Sequence, residues 1–437
     1  MPPLGRGPSA GWGRHVLTLG LVGVSALSLV GNVVFSRLLG RPTYGAVGSV
    51  LALASLLAVP LSAIQSAVTR QVAVAGPRGV ARARPTLFSA LGAVAVVAVA
   101  VLALPALDRL LHLRGDAVVV LLGAYLGSIV LEGVPRGYLV GERRYAAVGA
   151  VVLAGAALRL GLGWGWAALR PDAVGPLAGA AAGEGATALA LVALLSRRRG
   201  APTSLRGGTE HPRRRLALAR PVRQEVVRRR AERLRVREVG LSMAGFTGLL
   251  SLMSIDTVAA RHWLSAVGSG YYAAASAAGS IAYFLAAAVA TSVFPDVARG
   301  AAARDRHQFL LGLAEVALVA TAAAAILAAA APWVVEIVFG SRYGPAAAPL
   351  RLLACSYALL GVLAYLVGHH LAHRSRSVLL PWAGCAVLVA ALFAAHGSPT
   401  VVALDALAAS ASLLCLLGTA SVRLERGTGG LSRPAGR

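Results

Sequence analysis

Arg159 stands in the middle of an unbroken apolar run, LAGAALRLGLGWGW, and is the clearest candidate for chemistry in this chain. An arginine at the centre of a spanning helix costs about 2.5–3.5 kcal/mol on insertion scales, so it faces protein interior or water and not lipid. Its planar fork donates two hydrogen bonds at once, the geometry that suits a phosphate or a carboxylate. Gly155 and Gly163 flank it at i−4 and i+4 and would let another helix approach that face closely. Two roles stay open: a cationic site for an anionic ligand, or a structural ion pair with an acid on an adjacent helix.

Three further groups of ionisable residues fall inside or at the ends of apolar runs. Asp256, in SLMSIDTVAAR, lies ~25 Å from the cytoplasmic end of its run and Arg159 ~21 Å from its own, at 1.5 Å per helical residue. Asp256 is therefore either an ion-coupling carboxylate, whose proton or sodium occupancy biases one state, or the partner of Arg159. Glu184, in AAAGEGATA, has small neighbours that leave room for water, which suits proton coupling; the plainer alternative is a bond to a neighbouring helix. Arg37 and Arg261, at the outer ends of their runs, either extend a cationic path or snorkel to the interface. Glu132, Glu315 and Asp405 read as interfacial. His369, His370 and His373 contain an i, i+4 pair of the kind that can bind metal, but no acid or cysteine is close in sequence, so a solvated helix end is expected and no metal site.

Apolar runs of about 20 residues must position these groups, each long enough to cross ~30 Å of hydrocarbon. The 437 residues are 57% hydrophobic with a mean hydropathy of +0.72. The expected spans are Thr86 to Leu107 and five others in the first half: His15 to Ser36, Tyr44 to Ala67, Ala117 to Leu139, Tyr145 to Leu169 and Val174 to Leu195. The second half gives Val239 to Trp263, Gly270 to Phe294, Phe309 to Ala331, Ala346 to His370, Ser377 to His396 and Thr400 to Ser421. The fold class expected is an all-α integral membrane protein of about twelve transmembrane helices. The stretch from His15 has basic flanks but no cleavage site and reads as an uncleaved first span.

All 42 basic residues are arginine and the net charge is +25. The arginines lie between apolar runs without interleaved aromatics, which argues against a nucleic-acid partner. With both termini in the cytoplasm, about 33 of them fall on the cytoplasmic side and about 8 outside, which satisfies the positive-inside rule. Outer loops are then short, with no room for an extracytoplasmic catalytic domain. Cys355, Cys385 and Cys415 each sit inside an apolar run and read as packing thiols.

The one long polar stretch, with Arg197 to Arg199, Arg213 to Arg215 and Arg228 to Arg230, divides six runs from six. Residues 1–195 and 239–437 are expected to form two six-helix bundles joined by a basic cytoplasmic linker, 196–238. Within the linker, Val227, Ala231 and Leu234 recur at helical spacing under a cover of arginine, as in a surface-lying helix that contacts anionic headgroups. An even number of spans in each half makes any duplication parallel. RLLGRPTYGAVGS in the first half and WLSAVGSGYYAAAS in the second support one.

At these hairpins the chain resembles the polysaccharide-exporter branch of the multidrug/oligosaccharidyl-lipid/polysaccharide (MOP) flippase superfamily. The motifs are FSRLLGRPTYGAVGSVLAL (Phe35 to Leu53), RGYLVGERRY (Arg136 to Tyr145), SIDTVAARHWLSAVGSGYYAAAS (Ser254 to Ser276), SVFPDVAR (Ser292 to Arg299) and VVEIVFGSRYGPAAAPLRLLA (Val334 to Ala354). The resemblance implies an inner-membrane flippase for an undecaprenyl-diphosphate-linked oligosaccharide, with polysaccharide-assembly enzymes as possible partners. It also sets Asp256 on an acidic motif position. Two relatives stay in view: the lipid II flippases, which usually have more spans, and the proton- or sodium-coupled drug exporters. A non-transporting scaffold is a third class. With no Walker loop or nucleotide fingerprint, neither an enzyme activity nor a cofactor is expected.

Overall fold

The computed structural model describes residues 9–80, 103–112, 116–142, 144–196, 221–303, 306–373 and 375–429, with isolated positions at 92, 95 and 99. Most of the expected third span, together with Arg197 to Arg199 and Arg213 to Arg215, lies outside the described residues.

Among those described, all regular structure is helical: α1 Ser9–Val80, α2 Leu104–Leu111, α3 Ala117–Gly141, α4 Tyr145–Leu169, α5 Val174–Ser196, α6 Pro221–Trp263, α7 Ala266–Ala303, α8 Arg306–Ala329, α9 Ala331–Phe339, α10 Ala347–Ala372, α11 Pro381–Ala394 and α12 Pro399–Gly429, with short 3₁₀ turns at Ser341–Ala346 and Arg376–Leu379. Nine segments are long and apolar enough to cross a membrane, and they coincide with the fourth to twelfth expected spans. Their outward faces carry Leu169, Leu318 and Ile326, largely exposed as lipid-facing side chains must be. Exposed Trp164, Trp166 and Trp333 gather toward one end of the spans and Trp382 lies at the other, the placement of interfacial aromatic belts. The chain is a multi-pass membrane protein.

The first element covers the first two expected spans. Tyr44 donates a hydrogen bond of 3.3 Å to the Asn32 side-chain carbonyl, 12 residues earlier. A straight helix would separate those positions by ~18 Å, so the chain reverses between them. Gly40 makes the turn at φ +70°, a left-handed conformation that costs glycine little and other residues more. At the far side of the molecule α6 runs without a break from the basic linker into its span. The linker's end is helical as expected, but it is continuous with a spanning helix and not a separate surface-lying one.

Side-chain packing sorts the helices by half. In the first, α4 lies along α5, and α1 packs on α3 and α4. In the second, α10 is central, wrapped by α7, α8 and α12, while α11 bridges α6 and α12. The halves meet through α1, which runs along α6 and α7. That contact rests on missing side chains: a Cβ at Gly45 would lie 2.7 Å from the Gly270 nitrogen, and one at Gly270 would collide with the Arg41 carbonyl. One turn on, a Cβ at Gly48 would lie 2.8 Å from the Ala273 Cβ. Gly45 to Gly270 and Gly48 to Ala273 keep one sequence offset, as residues beside a pseudo-two-fold axis do when corresponding hairpins pack on each other.

Candidate functional site

Small residues on α4 and α5 bring Arg159 and Glu184 together. A Cβ at Gly179 would fall 2.5 Å from the Gly163 nitrogen, and one at Gly183 2.6 Å from the Arg159 Cβ, so the two backbones nearly touch. The close approach expected from Gly155 and Gly163 is therefore made, and α5 supplies it.

Arg159 Nη1 sits 3.8 Å from Glu184 Oε1, both side chains about one-quarter exposed. Its Nη2 donates a 2.7 Å hydrogen bond to Ser28 Oγ on α1, and Tyr125 on α3 stands near the guanidinium. Ser28, Tyr125 and Arg159 border a cavity of about 210 Å³ inside the first half, which Asn32, Phe35 and Ser55 also line. Its wall mixes polar and apolar side chains, and among the described residues Arg159 is the charge that lines it. Behind it, Glu132 accepts a 3.0 Å bond from Arg136 on the same helix. Glu132 is only 5% exposed, so the interfacial placement expected for it is wrong. Arg136, one turn away and inside the span, is a second intramembrane arginine; the i, i+4 spacing of the pair was a usable signal in the sequence.

Asp256 does not join this cluster, and its expected pairing with Arg159 is not formed. It is fully buried in the second half, where Tyr272 donates to Oδ2 at 2.7 Å and the Thr257 backbone N–H to Oδ1 at 2.6 Å. Thr257 Oγ1 continues to Ser276 at 3.2 Å, and Ser276 to the Tyr357 hydroxyl at 2.6 Å. The chain of hydroxyls links α6, α7 and α10 around one carboxylate. Shared depth was a poor guide to the partner, because helices at equal depth can stand in different halves.

Arg37 and Arg261 do not line the cavity. Arg261, 9% exposed, donates to the carbonyls of Leu111, His112 and Pro42 at 2.9, 3.3 and 3.4 Å and to Ser269 Oγ at 3.1 Å. This replaces both the cationic path and snorkelling as its role. Arg37 donates to the carbonyls of Ile337 and Val338 on α9. With Arg41 bonded to Tyr271 at 2.6 Å and Tyr343 to the Ser36 carbonyl at 3.0 Å, these side chains tie the halves together around the Gly40 turn.

The histidines also differ from expectation. His369 and His370 are 2% and 0% exposed, with His369 against Phe309 at 4.0 Å between ring centres and His370 bonded to Ser421 at 3.0 Å. They are packed inside the second half, not solvated. Among the described residues no group of three or more His, Cys, Asp or Glu is placed to hold a metal ion. Glu315 is exposed and Asp405 half-buried.

No protein-family model matches the sequence, and neither does any curated protein. Solved structures do match in fold. A multidrug resistance MATE-family transporter of the MOP superfamily, in an inward-facing conformation, aligns over 92% of this chain and 96% of its own at 16% identity and a TM-score of 0.67. The lipid II flippase MurJ, in an inward closed conformation, aligns over 93% and 87% at 12% identity and 0.61. A MOP-superfamily transporter from Pyrococcus furiosus, whose pocket of reverse polarity is said to suggest a different function, aligns over 93% and 95% at 16% and 0.51. The chain has the fold of these transporters.

Proposed function

We propose that this chain is an alternating-access flippase for a lipid-linked, diphosphate-bearing oligosaccharide, acting in surface polysaccharide biosynthesis at the plasma membrane. The observation that carries the reading is Arg159, an arginine deep in the bilayer region and open to a cavity between helices of the first half. A guanidinium with Ser28, Asn32 and Tyr125 beside it offers donors to phosphate oxygens. Phe35 and the apolar wall offer contact to a prenyl or sugar face. The sugar and the undecaprenyl tail come from the sequence motifs.

In this reading residues 1–195 and 239–437 are the two moving bundles, 196–238 is a cytoplasmic linker in contact with anionic headgroups, and both termini are cytoplasmic. The ties around the Gly40 turn hold the outer end shut, the inward-facing half of the cycle. Asp256 then belongs to the scaffold or to ion coupling in the second half, apart from the cargo.

A second reading has a specific observation behind it: the fold is shared with multidrug transporters and with a lipid II flippase. Lipid II presents the same diphosphate chemistry. A cationic drug does not, and an arginine lining the pocket opposes it. One neighbour is described as having a pocket of reverse polarity and a different function, so the fold alone does not set the cargo.

The test is leaflet translocation of a fluorescent undecaprenyl-diphosphate oligosaccharide in liposomes, with wild type beside Arg159→Ala. Wild type should flip the lipid and the variant should be slowed about 10- to 100-fold, the loss of charge-assisted bonds to phosphate. Equal rates would remove Arg159 from the cargo site. No flipping by wild type, together with transport of organic cations, would establish the exporter instead.

A further inference from the structure

Glu184 is held beside Arg159 but not bonded to it. At 3.8 Å the two are attracted across more than hydrogen-bond length, while the guanidinium donates to Ser28. The carboxylate is thus the counter-charge of the guanidinium and occupies none of its donors irreversibly. Every element packed against Glu184 bears on its charge. From α4 comes Arg159; from α3 come Tyr125, Glu132 and Arg136, with Ser128 beside Gly185; from α1 the described group is the uncharged Ser28. Arg136 is already engaged by Glu132 at 3.0 Å. When an anion takes the face of Arg159, no second uncommitted cation among the described residues stands beside Glu184, and Glu132 stands nearby with the same sign.

We propose that an anionic cargo group displaces Glu184 as the counter-charge of Arg159, and that Glu184 takes up one proton as it is displaced. The inference rests on the reading of Arg159 as the diphosphate site and adds the linkage between binding and protonation. An interior carboxylate that loses its cation is left as an uncompensated charge, and neutralising it with a proton from the water in the cavity removes that penalty. The balance is simple. One proton joins a Glu184 oxygen when the phosphate oxygens take over Arg159, and it returns to water when the cargo leaves and Glu184 regains its partner. The charge inside the first half is then nearly the same with and without one phosphate charge bound.

The experiment is calorimetric titration of the full-length protein in lipid nanodiscs with citronellyl-diphospho-glucose, a short-chain probe whose diester phosphates do not themselves titrate near neutrality. Two buffers of different ionisation heat report the protons taken up. Wild type should take up about one proton per probe bound, with affinity rising up to about tenfold per unit fall in pH. Glu184→Gln should bind with no proton uptake and a flat pH dependence, and Glu184→Asp should restore both. Probe binding by wild type without proton uptake, or unchanged uptake in Glu184→Gln, overturns the linkage while leaving Arg159 as the phosphate site. Loss of uptake in Glu132→Gln but not in Glu184→Gln likewise overturns it. If Arg159→Ala binds as tightly as wild type, or wild type does not bind at all, the cargo reading fails and the linkage with it.

Discussion

Glu184 and Asp256 are both acids inside spanning helices, but the two halves of the molecule hold them differently. Glu184 is a quarter exposed and stands 3.8 Å from Arg159, a cation that lines the cavity and also bonds Ser28. Asp256 has no exposure at all and is clasped by Tyr272, Thr257 and, through them, Ser276 and Tyr357. A partly exposed acid that faces a guanidinium without a hydrogen bond to it can change partner at small cost. An acid whose oxygens are both spoken for by neutral donors in a tight core organises its neighbours and resists exchange. The first half thus leaves its acid partly exposed beside a cation, and the second encloses its acid in neutral donors.

The contrast can be tested against the contact both halves share. Gly270→Leu drives a side chain into the Arg41 backbone and should cost about 3 kcal/mol or more, read as a large fall in the thermal unfolding midpoint in detergent; a mild effect would mean the hairpins are free to separate. Asp256→Ala strands the Tyr272 hydroxyl and the Thr257 N–H and should cost about 2–3 kcal/mol. Tyr272→Phe removes one bond to the same carboxylate, for a loss of about 1.5 kcal/mol. Glu184→Gln should lose under about 1 kcal/mol, as partly hydrated pairs do. If Glu184→Gln destabilises as much as Asp256→Ala, the two halves do not differ in the way described.

Hydropathy located nine described spans to within a few residues, because an apolar run of membrane length has few alternative fates. Arg159 was equally legible, since the cost of a lone guanidinium in lipid singles it out in any sequence. Its partners were not. Glu184 was marked as a candidate on its own helix, but what joins it to Arg159 is the Gly163–Gly179 approach of α4 and α5, a property of two helices at once. Arg261 shows the limit from the other direction. Its position at a span end fits snorkelling, and only the return of α2 and of the Gly40 turn above it supplies the carbonyls it binds. The histidines of α10 looked solvated for the same reason, because Phe309 and Ser421, which cover them, come from other helices.

The arginines that tie the halves together around the Gly40 turn donate mostly to main-chain oxygen, and a genetic consequence follows from that choice of acceptor. A seal made of acid–base pairs could be broken at either residue and rescued by swapping the charges. Here the acceptors at Leu111, His112, Pro42, Ile337 and Val338 are carbonyls that every amino acid carries. A suppressor screen begun from Arg37→Ala should therefore recover no compensating acid at Ile337 or Val338, because the arginine binds their main chain and not their side chains.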